Sequence, residues 1–274
     1  MKPLSQYIDQ DKISYCDQGE SDATVILLHG NSLAAESFKA QFTDTELSPM
    51  RLLAIDLPGH GHSSPAADPE HTYNLFTFRD IVIEIIQKLN IGPFVFAGHS
   101  LGGHVAMECL PFLSGCRGVF LWGAPPVKLP LDTSVLYKPS QEVGLLFTRD
   151  LDQSSVDALA SLLACKNHQR VVAAMIAATD PAFRQFLPAS LAEGKVSDEY
   201  QLLCDSKLPV ALIQGKHDAL INLAYLQQLQ LPHLWRDEVV IIDDACHAPQ
   251  LETPREFNSL LKEFVMDCNR YGTK

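Results

Sequence analysis

Residues 93–103 read Pro-Phe-Val-Phe-Ala-Gly-His-Ser-Leu-Gly-Gly. Phe94-Val95-Phe96-Ala97 is short, continuous and apolar, the pattern of a strand buried on both faces. Gly98-His99-Ser100-Leu101-Gly102 follows at once, and His104 to Leu110 reads as a helix. A G-x-S-x-G sequence between strand and helix predicts a sharp turn that lifts the serine hydroxyl over a sheet edge. The flanking glycines let the backbone bend without a Cβ clash. The first turn of the helix supplies free N–H groups and a partial positive charge, which suit a developing oxyanion. The alternative is a glycine-rich packing turn; the strand before and the helix after weigh against it.

A serine hydroxyl is a poor nucleophile until a base takes its proton and a carboxylate orients that base. With such an elbow the carboxylate is expected downstream, followed by the histidine. Leu208 to Gln214 forms an apolar run that ends in Gly215-Lys216-His217-Asp218. Val239-Val240-Ile241-Ile242 is the next strand-like run, and Asp243-Asp244-Ala245-Cys246-His247 follows it. Ser100, Asp218 and His247 therefore each fall past a strand's carboxyl end, where parallel sheets carry their function. Singly, Asp218 reads as a turn residue and His247 as a packed loop histidine; with Ser100 they read as a triad.

Ala23 to Leu28 forms another apolar run, and His29-Gly30-Asn31-Ser32 follows it. An H-G-x turn there commonly donates one oxyanion N–H, the other coming from the residue after the nucleophile. The expected donors are the backbone amides of Asn31 and Leu101. The Asn31 side chain either holds a substrate oxygen or water, or simply forms the turn. His29 reads as a brace for its loop.

His29-Gly30-Asn31-Ser32, Asp56-Leu57-Pro58-Gly59-His60-Gly61-His62-Ser63, the Ser100 elbow, Gly215-Lys216-His217-Asp218 and His247-Ala248-Pro249 together resemble the α/β-hydrolase superfamily. The likeness covers nearly the whole chain. More narrowly, the chain resembles the α/β-hydrolase type of N-acyl-homoserine lactonase. That likeness adds Trp122-Gly123-Ala124-Pro125-Pro126-Val127 and Ile176-Ala177-Ala178-Thr179-Asp180. It departs from that type at His99, where a tryptophan is expected, and at Asp218, where a glutamate is expected. Either carboxylate can orient a histidine.

The 274 residues suit one α/β domain with an insertion, and 46% hydrophobic content is ordinary for a globular chain. A net charge of −12 argues against nucleic acid and against docking on anionic lipid. No apolar run is long enough for a membrane span, and Met1 to Gln6 lack a signal-peptide core. Seven scattered cysteines without a C-x-x-C pair predict reduced thiols and a cytoplasmic location, with Cys246 a small packed residue. His60-Gly61-His62 begins like an H-x-H-x-D-H metal cluster, but Ser64-Pro65 stand where its Asp and His belong. No H-E-x-x-H occurs, so no metal and no cofactor is expected.

Strands are expected near 24–28, 51–55, 93–97, 118–122, 209–214 and 238–242, with an edge hairpin around Asp9-Gln10-Asp11. Helix 74–90 is clearest, with Asn74 as its cap; Thr253 to Glu256 reads as a capping box for the last helix. Pro125 and Leu208 lie too far apart for one crossover. Between them, 154–165, 169–178 and 182–187 are rich in helix formers. The predicted fold class is α/β, a mostly parallel, doubly wound sheet of the α/β-hydrolase type with a helical cap inserted after the sixth strand. Residues 1–127 and 208–274 would form the core and 128–207 the cap. Leu145, Leu146, Phe147, Met175, Phe183 and Phe186 are candidates for the cap's inner lining, or ordinary cap core.

The expected activity is two-step acyl transfer on a small ester or lactone, with N-acyl-homoserine lactones implied by the narrower resemblance. Ser100 in the nucleophile position disfavours dehalogenase and epoxide hydrolase chemistry, which uses aspartate there. A general carboxylesterase or thioesterase, and a triad-bearing ligand sensor that signals through a partner, stay open. A carbon–carbon bond hydrolase is disfavoured, because no glycine-proline-rich loop follows His29-Gly30. Oligomeric state is left open.

Overall fold

The computed structural model describes residues 2–8 and 11–271. Eight strands form one sheet: β1 (Leu4–Ile8), β2 (Asp11–Gln18), β3 (Thr24–Leu28), β4 (Arg51–Ile55), β5 (Phe94–His99), β6 (Cys116–Trp122), β7 (Val210–Gly215) and β8 (Val240–Ile242). Their spatial order is β1-β2-β4-β3-β5-β6-β7-β8. β1 and β2 pair antiparallel, as do β2 and β4, and every pair from β4 to β8 is parallel. The expected hairpin is β1–β2; its turn residues Asp9 and Gln10 lie outside the described residues.

β3 and β5 are buried along their full length, which is why their sequences are apolar without alternation. Successive residues feed opposite faces. Ile26, Leu28, Phe94 and Phe96 join one apolar cluster, while Val25, Leu27, Val95 and Ala97 join the other. Helix α1 (Leu75–Lys88) covers the first face through Phe78, Val82 and Ile85. The Asn74 side chain caps α1 by accepting from the Thr77 amide at 2.9 Å. Helix α2 (Leu101–Cys109) packs on the same face.

The chain leaves the sheet after β6 and returns at β7. Between them lie α3 (Gln153–Leu163), α4 (Gln169–Ala178), α5 (Pro181–Ala192) and α6 (Glu199–Ser206). Asp152, Asp180 and Asp198 cap α3, α5 and α6 with their side chains. α5 runs through Pro188, further than its expected end at Leu187. α6 is an addition to the helices expected from the sequence; it is only eight residues long.

The last helix, α7 (Pro254–Tyr271), covers the second face through Phe257, Leu261, Phe264 and Val265. Its expected capping box is a correction. The Thr253 hydroxyl donates back to the Pro249 carbonyl at 3.3 Å, and no bond to the Glu256 amide is made among the described residues. The short helical turn Pro249–Glu252 also takes the Thr253 amide, 2.9 Å from the Pro249 carbonyl, so that N–H is not left for the Glu256 carboxylate.

β4 and β5 lie on opposite sides of β3, so the chain reverses its direction of winding there. Such a switch point opens a crevice past the carboxyl ends of the two strands. The loop 29–32 after β3 and Ser100 after β5 border that crevice.

Candidate active site

Ser100 has φ 48° and ψ −116°, a conformation few non-glycine residues adopt. It persists because its surroundings fix it. The Ser100 amide donates to the Trp122 carbonyl at 2.9 Å, and its carbonyl accepts from Gly103 and His104 at 2.8 and 3.2 Å. A Cβ on Gly102 would lie 2.2 Å from the Leu28 carbonyl oxygen, so α2 reaches β3 this closely only with glycine there.

Asp218 and His247 meet as expected, Nδ1 to Oδ2 at 2.8 Å, both buried. The same Oδ2 accepts from Gln214 Nε2 at 2.8 Å, and Oδ1 accepts from the Leu220 and Ile221 amides at 2.7 and 3.1 Å. Burial alone would raise the Asp218 pKa, but His247 and those two amides hold it below the ordinary carboxylate value. The carboxylate thus fixes the ring with its proton on Nδ1 and leaves Nε2 as an acceptor. His247 Nε2 is buried without a hydrogen-bond partner, and no bond joins it to Ser100 among the described residues. The ring faces Gly123, whose φ is +59° and where a Cβ would lie 2.6 Å from His247 Cε1.

Leu101 is the first residue of α2, so its N–H has no acceptor within the helix. The Asn31 N–H likewise donates to no described residue. Asn31 and Leu101 line the same cavity as Ser100. The Asn31 side chain is neither free nor merely turn-forming. Its Nδ2 donates to the Leu146 carbonyl at 3.2 Å and its Oδ1 accepts from Ser32 Oγ at 2.8 Å. His29 braces its loop: Nδ1 bonds the Gly30 carbonyl at 2.9 Å and Nε2 accepts from the Leu57 amide at 3.0 Å.

The cavity has a volume of about 70 Å³ and opens to solvent. Leu146 and Phe147 line it, as expected of the inner cap. Met175 borders a different groove, and Phe183 packs on Tyr73, His60 and Phe78 instead. Neither Leu145 nor Phe186 reaches the cavity wall.

Several contacts around the site join residues far apart in the sequence. Arg184, buried in α5, donates to the Thr148, Arg149 and Ile176 carbonyls and to Ser32 Oγ at 3.2 Å. It thereby ties the helical segment to the loop that holds Asn31. Asp180 donates its amide to the Gly59 carbonyl at 2.8 Å and accepts from the Tyr73 hydroxyl. Lys138 donates its amide to the Leu220 carbonyl at 2.8 Å.

The expectation of reduced thiols is also corrected. Cys165 and Cys246 form a disulfide, with Cα atoms 5.7 Å apart, and Cys246 is the residue before His247. Glu252 accepts from both their amides, at 2.7 and 2.6 Å. The two cysteines are 81 residues apart, which hides the pairing from any local motif. The bridge removes the premise on which a reducing compartment was expected. No helix among the described residues is long and apolar enough to cross a membrane.

Residues 25–260 match the alpha/beta hydrolase family over most of the chain. The protein is an alpha/beta hydrolase. This hydrolase superposes on the N-acyl homoserine lactonase AidH bound to N-butanoyl homoserine with a TM-score of 0.93, at 27% identity, covering 98% of this chain and 97% of that one. A mutant of that lactonase with N-hexanoyl homoserine lactone gives the same TM-score at 26% identity, covering 98% and 99%. In sequence, the hydrolase is 25% identical to a pimeloyl-[acyl-carrier protein] methyl ester esterase of Yersinia enterocolitica, over 92% of this chain and 96% of the relative.

Proposed function

We propose that this hydrolase cleaves carboxylic esters or lactones through an acyl-enzyme on Ser100, with His247 as general base and Asp218 as its orienting carboxylate. One observation carries the reading: a strained serine at an apolar cavity, whose amide is held by Trp122, and against the next residue, Gly123, a buried imidazole that an aspartate holds by Nδ1 and whose Nε2 has no protein partner. Resting sites of this kind often tighten only when substrate binds.

Ser100 Oγ attacks the carbonyl carbon while His247 Nε2 takes its proton. Asp218 keeps the ring in the correct tautomer and stabilises its charged form. The Asn31 and Leu101 amides receive the oxyanion; one such donor is worth about 2.7–4 kcal/mol in the transition state. His247 then protonates the leaving alkoxide, which in a lactone stays attached through the acyl chain. Water, deprotonated by the same nitrogen, releases the acid and restores Ser100. No step in this scheme calls on a cofactor.

N-acyl-homoserine lactones are the substrates we favour, supported by the superposition on a lactonase along almost the full length of both chains. A methyl ester is the second reading, supported by the near full-length likeness to the Yersinia esterase.

The test is turnover of p-nitrophenyl butanoate and of homoserine lactones with several acyl lengths. Ser100→Ala, folded by circular dichroism, loses at least about a thousandfold in kcat. Full activity in that variant ends the nucleophile assignment. Ester cleavage with every lactone left intact ends the lactonase reading and leaves the esterase.

A further inference from the structure

His104 lies one helical turn past Ser100 on α2 and lines the same cavity. Among the described lining residues it is the only one with a histidine, carboxylate or cationic side chain. The rest of the wall is mostly Leu, Val and Phe.

His104 Nδ1 faces both oxygens of Glu199, at 3.0 and 2.8 Å. Glu199 is fully buried on α6, and its one other recorded donor is the Val127 amide at 2.9 Å. No lysine or arginine pairs with it among the described residues. Asp218 has three donors on its carboxylate besides His247, but Glu199 has only the Val127 amide besides His104, so its burial calls for the further proton that makes this pair net neutral. Two arrangements are net neutral. In one, a charged imidazole faces a carboxylate, and both ring nitrogens carry protons. In the other, a carboxylic acid donates to Nδ1 of a neutral ring, whose proton is then on Nε2. Either way Nε2–H is a donor. That nitrogen has no partner within the protein and is not sealed from solvent.

An unpaired donor in an apolar wall discriminates strongly between ligands that do and do not satisfy it. Resting on the ester-or-lactone reading above, we propose that His104 is a specificity-determining residue whose Nε2–H binds a neutral carbonyl oxygen in the substrate chain. The favoured substrates are then acyl groups with a keto or amide carbonyl, rather than plain alkyl acyl groups. Ser100 and His104 line one small cavity, so a carbonyl a few chain atoms beyond the scissile one can meet His104. An anionic chain end is disfavoured, because Glu199 would leave the site with net negative charge. The His104 pKa agrees with a proton-rich pair: burial would lower it, but Glu199 and Glu108 hold it above the ordinary histidine value.

The test compares p-nitrophenyl 5-oxohexanoate with p-nitrophenyl hexanoate, each corrected for its hydroxide-catalysed rate. The wild-type protein should favour the oxo ester by about tenfold or more in kcat/KM, chiefly through KM. His104→Leu should bring that ratio close to one, and His104→Gln, which keeps an N–H, should retain part of it. A merely structural role would lower both esters equally and leave the ratio intact, and that result overturns the proposal. A wild-type ratio of one also overturns it, whether or not His104→Leu folds. Nitrogen-15 shifts of wild-type His104 give an independent reading; an unprotonated Nε2 overturns the proposal. The triad reading stands or falls separately, on Ser100→Ala with the plain ester.

Discussion

His99 Nε2–H donates to the backbone carbonyl of His247 at 2.9 Å. The residue before the proposed nucleophile thus holds the residue proposed as its base. The His99 ring also stacks on Trp122, centroids 5.5 Å apart and 6° from parallel, and its Nδ1 accepts from Gln250 at 3.3 Å. Gln250 in turn accepts from Trp122 Nε1–H at 2.8 Å. Burial pushes the His99 pKa well below the ordinary value, so the ring is neutral and has one proton to give.

His99→Phe keeps a ring against Trp122 but leaves the His247 carbonyl unpaired. The expected loss is about 1–3 kcal/mol of unfolding free energy by urea titration. In the proposed reaction kcat should fall more than KM changes. An unaltered urea midpoint would show that this bond does not support the loop.

Acid stability follows from three buried rings. Burial depresses the pKa of His29, His60 and His99. An unfolded histidine titrates near 6.5, so below about that pH the unfolded chain binds protons that the folded chain refuses. Their contribution is complete above about pH 6.5 and drains as pH falls. His104 is shifted upward, so its contribution is present below that pH and is lost as pH rises. Urea titrations from pH 7 to 5 should show stability falling. His60→Leu should flatten that fall by up to about 1.4 kcal/mol per pH unit. An equal slope in the variant contradicts the assignment of His60 as a neutral buried ring.

Cys165→Ser opens a bridge between residues 81 apart in sequence. The expected loss is about 2–4 kcal/mol, read as a lower melting temperature. Reductant should bring the wild type down to the variant and leave the variant unmoved. A wild type that melts identically with and without reductant would show the bridge absent in solution.

Gly123→Ala places a methyl group against the His247 ring and adds the cost of a left-handed conformation, about 1–2 kcal/mol. The imidazole must move. In the proposed reaction kcat should drop at least about tenfold, since proton transfer depends on its position. Wild-type kcat in a folded variant would show that the ring tolerates displacement.

Much of the fold was readable because β3, β4, β5 and β7 are built on short apolar runs followed by glycine-containing turns, and the turns after β3, β5 and β7 carry Asn31, Ser100 and Asp218. The elbow glycines were readable for the same reason: only one backbone shape fits that spacing. Thr253 misled because a capping sequence does not show that the preceding helical turn already takes its amide. Glu199, Arg184 and the Cys165–Cys246 pair were hidden for another reason. Each acts on a partner distant in sequence, and nothing in the chain on either side of it distinguishes it from a surface residue or a spare thiol. His104 had half a signal, its place one turn after Ser100; its partner Glu199 had none.

The helical segment is fastened to the sheet along every seam described: a sulfur–sulfur bond at Cys165, Arg184 on Ser32, the Asp180 amide on Gly59, and Lys138 on Leu220. Swinging it away as one plate would sever a covalent link at one edge and strand a guanidinium at the centre. A molecule that reaches Ser100 therefore enters by the mouth the cavity already has, without the whole segment lifting.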